Sequence, residues 1–202
     1  MPRAQLTLAD IEDLRAYERI RDTFRDGVIA LKKRRRVGVG PLLTVVFENR
    51  ETIRFQVQEM ARAERMMSDA AIQGELDAYN PLIPGPGELS ATLFVELRTE
   101  AELREWLAKL VGVERSVEII VGEGSGAEVL RAEPEAAHAA QLTRAGTTAS
   151  VHYVHWVLTP AQTDRVAAGP VILAVNHPEY AHQSALGPET VRELLTDLRG
   201  GR

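Results

Sequence analysis

Pro81-Leu82-Ile83-Pro84-Gly85-Pro86-Gly87 divides the chain into two parts of different character. Three prolines and two glycines within this stretch remove backbone donors and add freedom of φ, so neither a helix nor an interior strand can run through it. Before this loop, apolar residues recur mainly at spacings of three and four. After it, short β-branched runs alternate with short helical patterns.

Ahead of the loop, Thr7 is placed to cap a helix with Asp10 in its first turn and Leu8, Ile11, Leu14 and Ile20 at helical spacing. A second helix is predicted from about Tyr17 to Lys32, with Ile20, Phe24, Val28 and Leu31 as its buried stripe. Leu42 to Phe47, preceded by Gly38, Gly40 and Pro41, reads as a buried strand. Asn49 then caps a helix carrying Ile53, Val57, Met60, Ala61 and Met67, and Ser68 caps another that ends before Asn80-Pro81.

Beyond the loop, Ala91 to Leu97 reads as a strand, Glu100 to Val111 as a helix behind Thr99, and Val117 to Val121 as a strand. Gly122-Glu123-Gly124-Ser125-Gly126 predicts a hairpin into Glu128 to Arg131. Residues 133 to 148 have little pattern and are expected to form an exposed, mobile loop. Ser150 to Leu158 reads as a strong strand. A short helix after Thr159-Pro160, a strand at Val171 to Val175 and a helix near Glu189 to Leu198, opened by Gly187-Pro188, complete the chain. The expected class is α+β: N-terminal helices followed by a mixed, mostly antiparallel sheet with short interspersed helices. The 202 residues suit a single domain with a helical part over about 1–80, the loop at 81–87 and a strand-rich part over about 88–202.

Composition excludes several functions. A chain that is 45% hydrophobic and 26% charged should fold, and its net charge of -5 favours neither a polyanion nor an acidic membrane surface. The absence of cysteine excludes disulfides, a thiolate-ligated cluster, a thiolate metal site and a cysteine nucleophile. Met1 to Asp10 lacks a basic region followed by an apolar run, and no apolar stretch is long enough to cross a bilayer. Secretion and membrane insertion are not expected, and the expected location is cytoplasmic.

Four of the five histidines, His152, His155, His177 and His182, are clustered late in the chain and raise the possibility of divalent metal ligation. His152 and His155 lie three apart on a predicted strand, so they should face opposite sides of the sheet and cannot chelate one ion together. His152 shares its face with Val154, Trp156 and Leu158, where a hydrogen-bonded core histidine is the simpler reading. Asn176-His177-Pro178-Glu179-Tyr180 follows a strand, and Glu179 with His182 has the spacing of a Glu-x-x-His ligand pair, although it occurs once and beside a proline. Glu48 and the polar helix after it, with Glu51 and Glu59, could supply carboxylates to a metal or act as a base. Glu51 with Arg54 and Glu59 with Arg62 also have the spacing of ordinary surface pairs.

Lys32, Lys33, Arg34, Arg35 and Arg36 form a basic run that could bind phosphate. It lacks interleaved aromatics, so nucleic acid is not expected as a partner, and a helix end neutralised by nearby acids is the simpler reading. Gly38-x-Gly40 and Gly122-x-Gly124-x-Gly126 resemble pieces of phosphate loops but match no nucleotide fingerprint.

Phe47-Glu48-Asn49-Arg50-Glu51-Thr52, Gln58-Glu59-Met60 and Glu75-Leu76-Asp77-Ala78-Tyr79-Asn80-Pro81-Leu82-Ile83-Pro84 together resemble a bacterial family known as domain of unknown function family 3501. The likeness runs nearly end to end, through Val28-Ile29-Ala30-Leu31-Lys32, Val151-His152 and His177-Pro178 with Tyr180. His155 departs from the family pattern, which weakens it as a ligand. The resemblance implies a bacterial cytosolic setting near rubrerythrin-like or iron-sulfur reductase-like proteins, and it carries no catalytic residue. The first expectation is a non-catalytic accessory or binding protein of a redox or peroxide-defence system. The alternatives are a metal-binding protein or metal-dependent enzyme using His152, His177, Glu48, Glu59 and His182, and a phosphate or nucleic-acid binder using residues 32–36.

Overall fold

Asp13, rather than Thr7, opens the first long helix. Its carboxylate accepts from the backbone N–H groups of Arg15 and Ala16, two of the donors that a first turn leaves unpaired. In the computed structural model, which describes residues 5–136 and 146–201, Thr7 caps only a single 3-10 turn, Leu8–Asp10. Helix α1 then spans Leu14–Arg35 and passes directly into strand β1, Arg36–Val39. The two helices expected here are thus one turn and one long helix, and the basic run straddles a helix-to-strand junction. Of the predicted stripe only Val28 is buried; Ile20 is exposed, and Phe24 packs edge-on against Phe55 with ring centroids 5.8 Å apart.

β1 turns back through Gly40, at φ +70°, into β2, Leu43–Glu48. A Cβ at Gly40 would lie 2.5 Å from the Tyr180 hydroxyl oxygen and the His182 ring, so close approach as well as the left-handed φ requires glycine. Helix α2, Arg50–Ala63, is capped as expected by Asn49, which accepts from the Thr52 N–H while the Thr52 hydroxyl accepts from the Asn49 N–H. α2 ends before Met67, which is left 84% exposed. α3, Asp69–Tyr79, is capped by Ser68 and ends at Asn80–Leu82, where the prolines begin.

The remaining order is β3 (Glu88–Val95), α4 (Glu100–Lys109), β4 (Val117–Val121), β5 (Glu128–Arg131), β6 (Glu133–Pro134), β7 (Val151–Val157), α5 (Pro160–Ala168), β8 (Val171–His177), β9 (Tyr180–Ala185) and α6 (Pro188–Leu198). Part of the loop expected at 133–148 is strand β6, and its stretch 137–145 lies outside the described residues. β1 and β9 are strands that periodicity does not reveal, and His177 closes a strand rather than following one.

The α+β class holds, and the strands divide into two sheets. One has the order β1-β2-β3-β7-β6 and the other β5-β4-β8-β9, with every neighbouring pair antiparallel. Alternate residues of both sheets meet in one core: Leu43, Val45 and Phe47 of β2 face Ile119, Leu173 and Val175 of the second sheet, with Trp156 against Phe47. The sandwich is closed along both sides. On one side the chain crosses between sheets at Ala132, between β5 and β6. On the other, the Tyr180 hydroxyl donates to the Val39 carbonyl and accepts from the Leu42 N–H, and Ser184 donates to the Gly38 carbonyl.

Helices α1, α2 and α3 cover the outer face of the first sheet, where a smaller cluster forms around Ile53, Val57, Leu76 and Leu82. α1 contributes little apolar burial and is held by charge. The Arg35 side chain is 1% exposed and donates twice to the Asp197 carboxylate of α6, at 2.8 and 2.9 Å, and once to Glu193 at 3.2 Å. It also reaches the carbonyls of Phe47 and Glu48 at the end of β2. Removing one member of such a pair strands a buried charge, at a cost of about 3 to 5 kcal/mol. Arg35→Met should therefore lower unfolding stability by roughly that amount in chemical denaturation, whereas Arg35→Met combined with Asp197→Leu should recover most of it. Equal loss in the single and double variants would show that Arg35 acts otherwise.

Candidate functional site

The outer face of the first sheet is polar where it is most deeply covered. Alternation along β2, β3 and β7 turns Thr44 and Glu48, Ser90 and Thr92, and Tyr153 away from the apolar core and toward the helices. All but Tyr153, which is half-buried, are buried. Between this face and the helices lies a cavity of about 180 Å³. Its floor is Glu48, Thr92, Phe94 and Tyr153, and its helical side includes Lys32 of α1, Thr52 and Gln56 of α2, and Tyr79 of α3.

Glu48 is 6% exposed, and one of its oxygens accepts from the Thr92 hydroxyl at 2.6 Å. This diagonal cross-strand contact follows from the register, which pairs Glu48 with Ser90 and Thr92 with Tyr153. Tyr153 is hydrogen-bonded to Tyr79, and burial, that bond and the nearby Glu48 carboxylate push its phenol well above the usual range. The Tyr153 phenol therefore serves as a neutral hydroxyl near neutral pH. A wider trough of about 580 Å³ runs over the outer face of the second sheet by Glu118, Ala174 and Gln183, but it is open to solvent and would enclose little of any ligand.

The other residues singled out by the sequence are dispersed. His152 is buried in the inter-sheet core, its Nε2 lying 2.8 Å from the Thr148 hydroxyl and 3.0 Å from the Ala149 carbonyl. A carbonyl only accepts, so Nε2 carries the hydrogen and Nδ1 faces Glu114, whose Oε2 is 4.0 Å away and buried without a hydrogen bond. His155 points to the opposite face, 34% exposed and 3.9 Å from Glu133, as strand alternation requires. His177 donates from Nε2 to the Val111 carbonyl at 3.1 Å and accepts at Nδ1 from the Glu179 N–H, leaving no lone pair for a metal. Glu179 sits in the β8–β9 turn and His182 on a strand, its ring centroid 4.4 Å from that of Tyr180 with the planes tilted by 53°. They do not share a helix face, so the Glu-x-x-His reading lacks its geometry. Glu59 accepts a bidentate pair from Arg21 and a hydrogen bond from Tyr17, bonds that lower its carboxyl pKa and clamp α1 to α2. Among the described residues no three histidine or carboxylate side chains converge to hold a metal.

The basic run is also divided. Arg34 binds Glu193, Arg35 binds Asp197 and Glu193, and Arg36 binds Glu96. Three of the expected phosphate ligands are thus already neutralised, while Lys32 turns to the cavity. The glycine-rich turn at 122–126 is no anion loop either. The N–H groups of Gly122 and Gly126 donate to carbonyls, and Arg165 reaches the carbonyls of Val121 and Gly126. Lys32 and Glu48 are legible in the sequence as charged candidates. Thr92, Tyr79 and Tyr153 carry no signal there beyond polarity at strand or helix positions that a covered sheet would fill with apolar residues.

The fold and cavity define a class: a closed, helix-covered antiparallel sandwich with a polar pocket under its helical layer. Residues 5–198 match the family described as Protein of unknown function (DUF3501), and the chain belongs to that family. A crystal structure of a novel protein of unknown function from Burkholderia pseudomallei K96243 is similar, with 34% identity, a TM-score of 0.86, and coverage of 96% of this chain and 99% of that one. No curated protein matches the chain. Among the described residues no helix is long and apolar enough to cross a membrane.

Burial holds the His152 imidazole below its ordinary value of 6.5, against an opposing pull from Glu114. A base whose folded pKa is depressed folds neutral. Its contribution to stability is complete above the unfolded value and is lost as pH falls below 6.5 toward the folded pKa. Melting temperature should therefore fall more steeply for the wild type than for His152→Gln between about pH 7.5 and about pH 5.5. Parallel curves would remove His152 as the titrating group.

Proposed function

We propose that the chain is a non-catalytic, cytoplasmic binding protein that holds a small polar molecule between its helical layer and first sheet. The observation that supports this is the buried Glu48 carboxylate in a recessed cavity whose lining includes the hydroxyl-bearing Thr92, Tyr79 and Tyr153. A carboxylate costs several kcal/mol to bury unless it is paired, so a fold that keeps one beside a cavity is better suited to receiving a donor than to packing. The cavity is lined by neither a histidine nor a second carboxylate, which favours binding over acid–base catalysis. Its volume is well below the roughly 300 to 1,000 Å³ of drug-sized ligand sites, so a nucleotide or flavin is too large.

The setting beside rubrerythrin-like or iron-sulfur reductase-like partners is carried by the family resemblance. A cysteine-free chain would leave cluster chemistry to those partners and act as an accessory.

Binding can be tested by ligand-observed NMR with glycerol, urea, acetate, methylammonium and alanine, on the wild type and on Val151→Phe, which fills the cavity from β7. At least one probe should bind the wild type and be lost from Val151→Phe, with the melting temperature of the variant checked alongside. No binding by any probe, or binding indifferent to the substitution, would rule out the cavity as the site.

A further inference from the structure

Lys32 and Glu48, of opposite charge, line one recessed space and do not pair with each other. Lys32 forms no ion pair among the described residues; its ammonium lies 5.9 Å from the centroid of the Phe55 ring. Each of the next three arginines has a carboxylate partner: Arg34 with Glu193, Arg35 with Asp197 and Arg36 with Glu96. Glu48 receives the Thr92 hydroxyl, and the buried Arg35 guanidinium beside it bonds the Glu48 carbonyl rather than its carboxylate. Nearby cations are thus spent elsewhere, while one cation and one anion are kept on the walls of the same cavity.

We propose that the ligand is a small α-amino acid with a short apolar side chain, its ammonium on Glu48 and its carboxylate on Lys32. This rests on the reading of the cavity as a binding site. A zwitterion brings both missing partners at once. Each would form a charge-assisted hydrogen bond, about twice as strong as a neutral one. The tyrosine hydroxyls and Gln56 can satisfy the remaining donors and acceptors, and Ile53, Phe94 and Val151 offer an apolar wall to a short side chain. Size agrees: a space of about 180 Å³ corresponds to the liquid volume of on the order of six waters, which suits alanine or valine and excludes a long or charged side chain.

Isothermal titration calorimetry of the full chain with alanine, propionate and ethylamine separates the possibilities, because propionate lacks the ammonium and ethylamine lacks the carboxylate. Alanine should bind at least about tenfold more tightly than either. Glu48→Gln and Lys32→Met should each weaken alanine by about tenfold or more while retaining the wild-type melting temperature. If propionate or ethylamine equals alanine and Val151→Phe abolishes binding, the amino-acid assignment falls and the binding cavity stands. If alanine binds indifferently to both charge substitutions, the assignment also falls. If none of these three binds and glycerol and urea also fail in the NMR screen, both fall together.

Discussion

The buried guanidinium of Arg35 fixes the relation of the helical layer to the sandwich. It joins the end of α1 to the last helix through Asp197 and Glu193, and it touches the closing carbonyls of β2. Apolar packing could not do this, because among the residues of α1 only Tyr17, Val28 and Arg35 are buried. The other end of the helix is held in the same way, by Tyr17 and Arg21 on Glu59 of α2. A helix clamped by charge at both ends has a defined rotation, and that rotation sets Lys32, nearly one turn before Arg35, against the cavity. A well-packed apolar pair could replace such a bridge at little cost in stability. What the bridge supplies is position.

That position matters because the middle of the first sheet, at β2 and β3, is buried on both faces, and the two faces differ in kind. The inner face is apolar and meets the second sheet. The outer face carries Thr44, Glu48, Ser90, Thr92 and Tyr153 beneath the helices. A covered sheet face chosen for stability alone would be apolar, since each buried polar group must recover its lost hydration through hydrogen bonds. Here the cover is incomplete and leaves a small polar space, so the departure from ordinary core composition and the cavity coincide. The second sheet shows the contrast: its outer trough is larger but open, and its buried Glu118 is already paired with the exposed Arg131.

Much of the fold is legible in the sequence, because helix caps and breakers are local. Asn49, Ser68, Thr99 and Thr159 each cap the helix expected of them, and the Pro81–Gly87 loop ends the early helices. Thr7 failed because Asp10 occupies its hydroxyl and N–H within one turn, leaving Asp13 to start the helix. β1 is hidden because Arg36-Val37-Gly38-Val39 begins in a run of charges, and β9 because Tyr180 to Ala185 is an edge strand with polar residues on its open side. The alternation of β7 correctly sends His152 and His155 to opposite faces, and the same alternation places Tyr153 under the helices, although nothing local says what lies there. The site itself is non-local: Lys32, Glu48, Gln56, Tyr79, Thr92 and Tyr153 come from six different elements, and only the sheet register and the Arg35 clamp bring them together.

The most direct measurement is the electron density of the cavity in a crystal of the protein equilibrated with alanine. Continuous density linking the Glu48 carboxylate to the Lys32 ammonium, shaped as one amino acid against Phe94 and Val151, is the predicted result. Separate water peaks in the cavity at saturating alanine would contradict it.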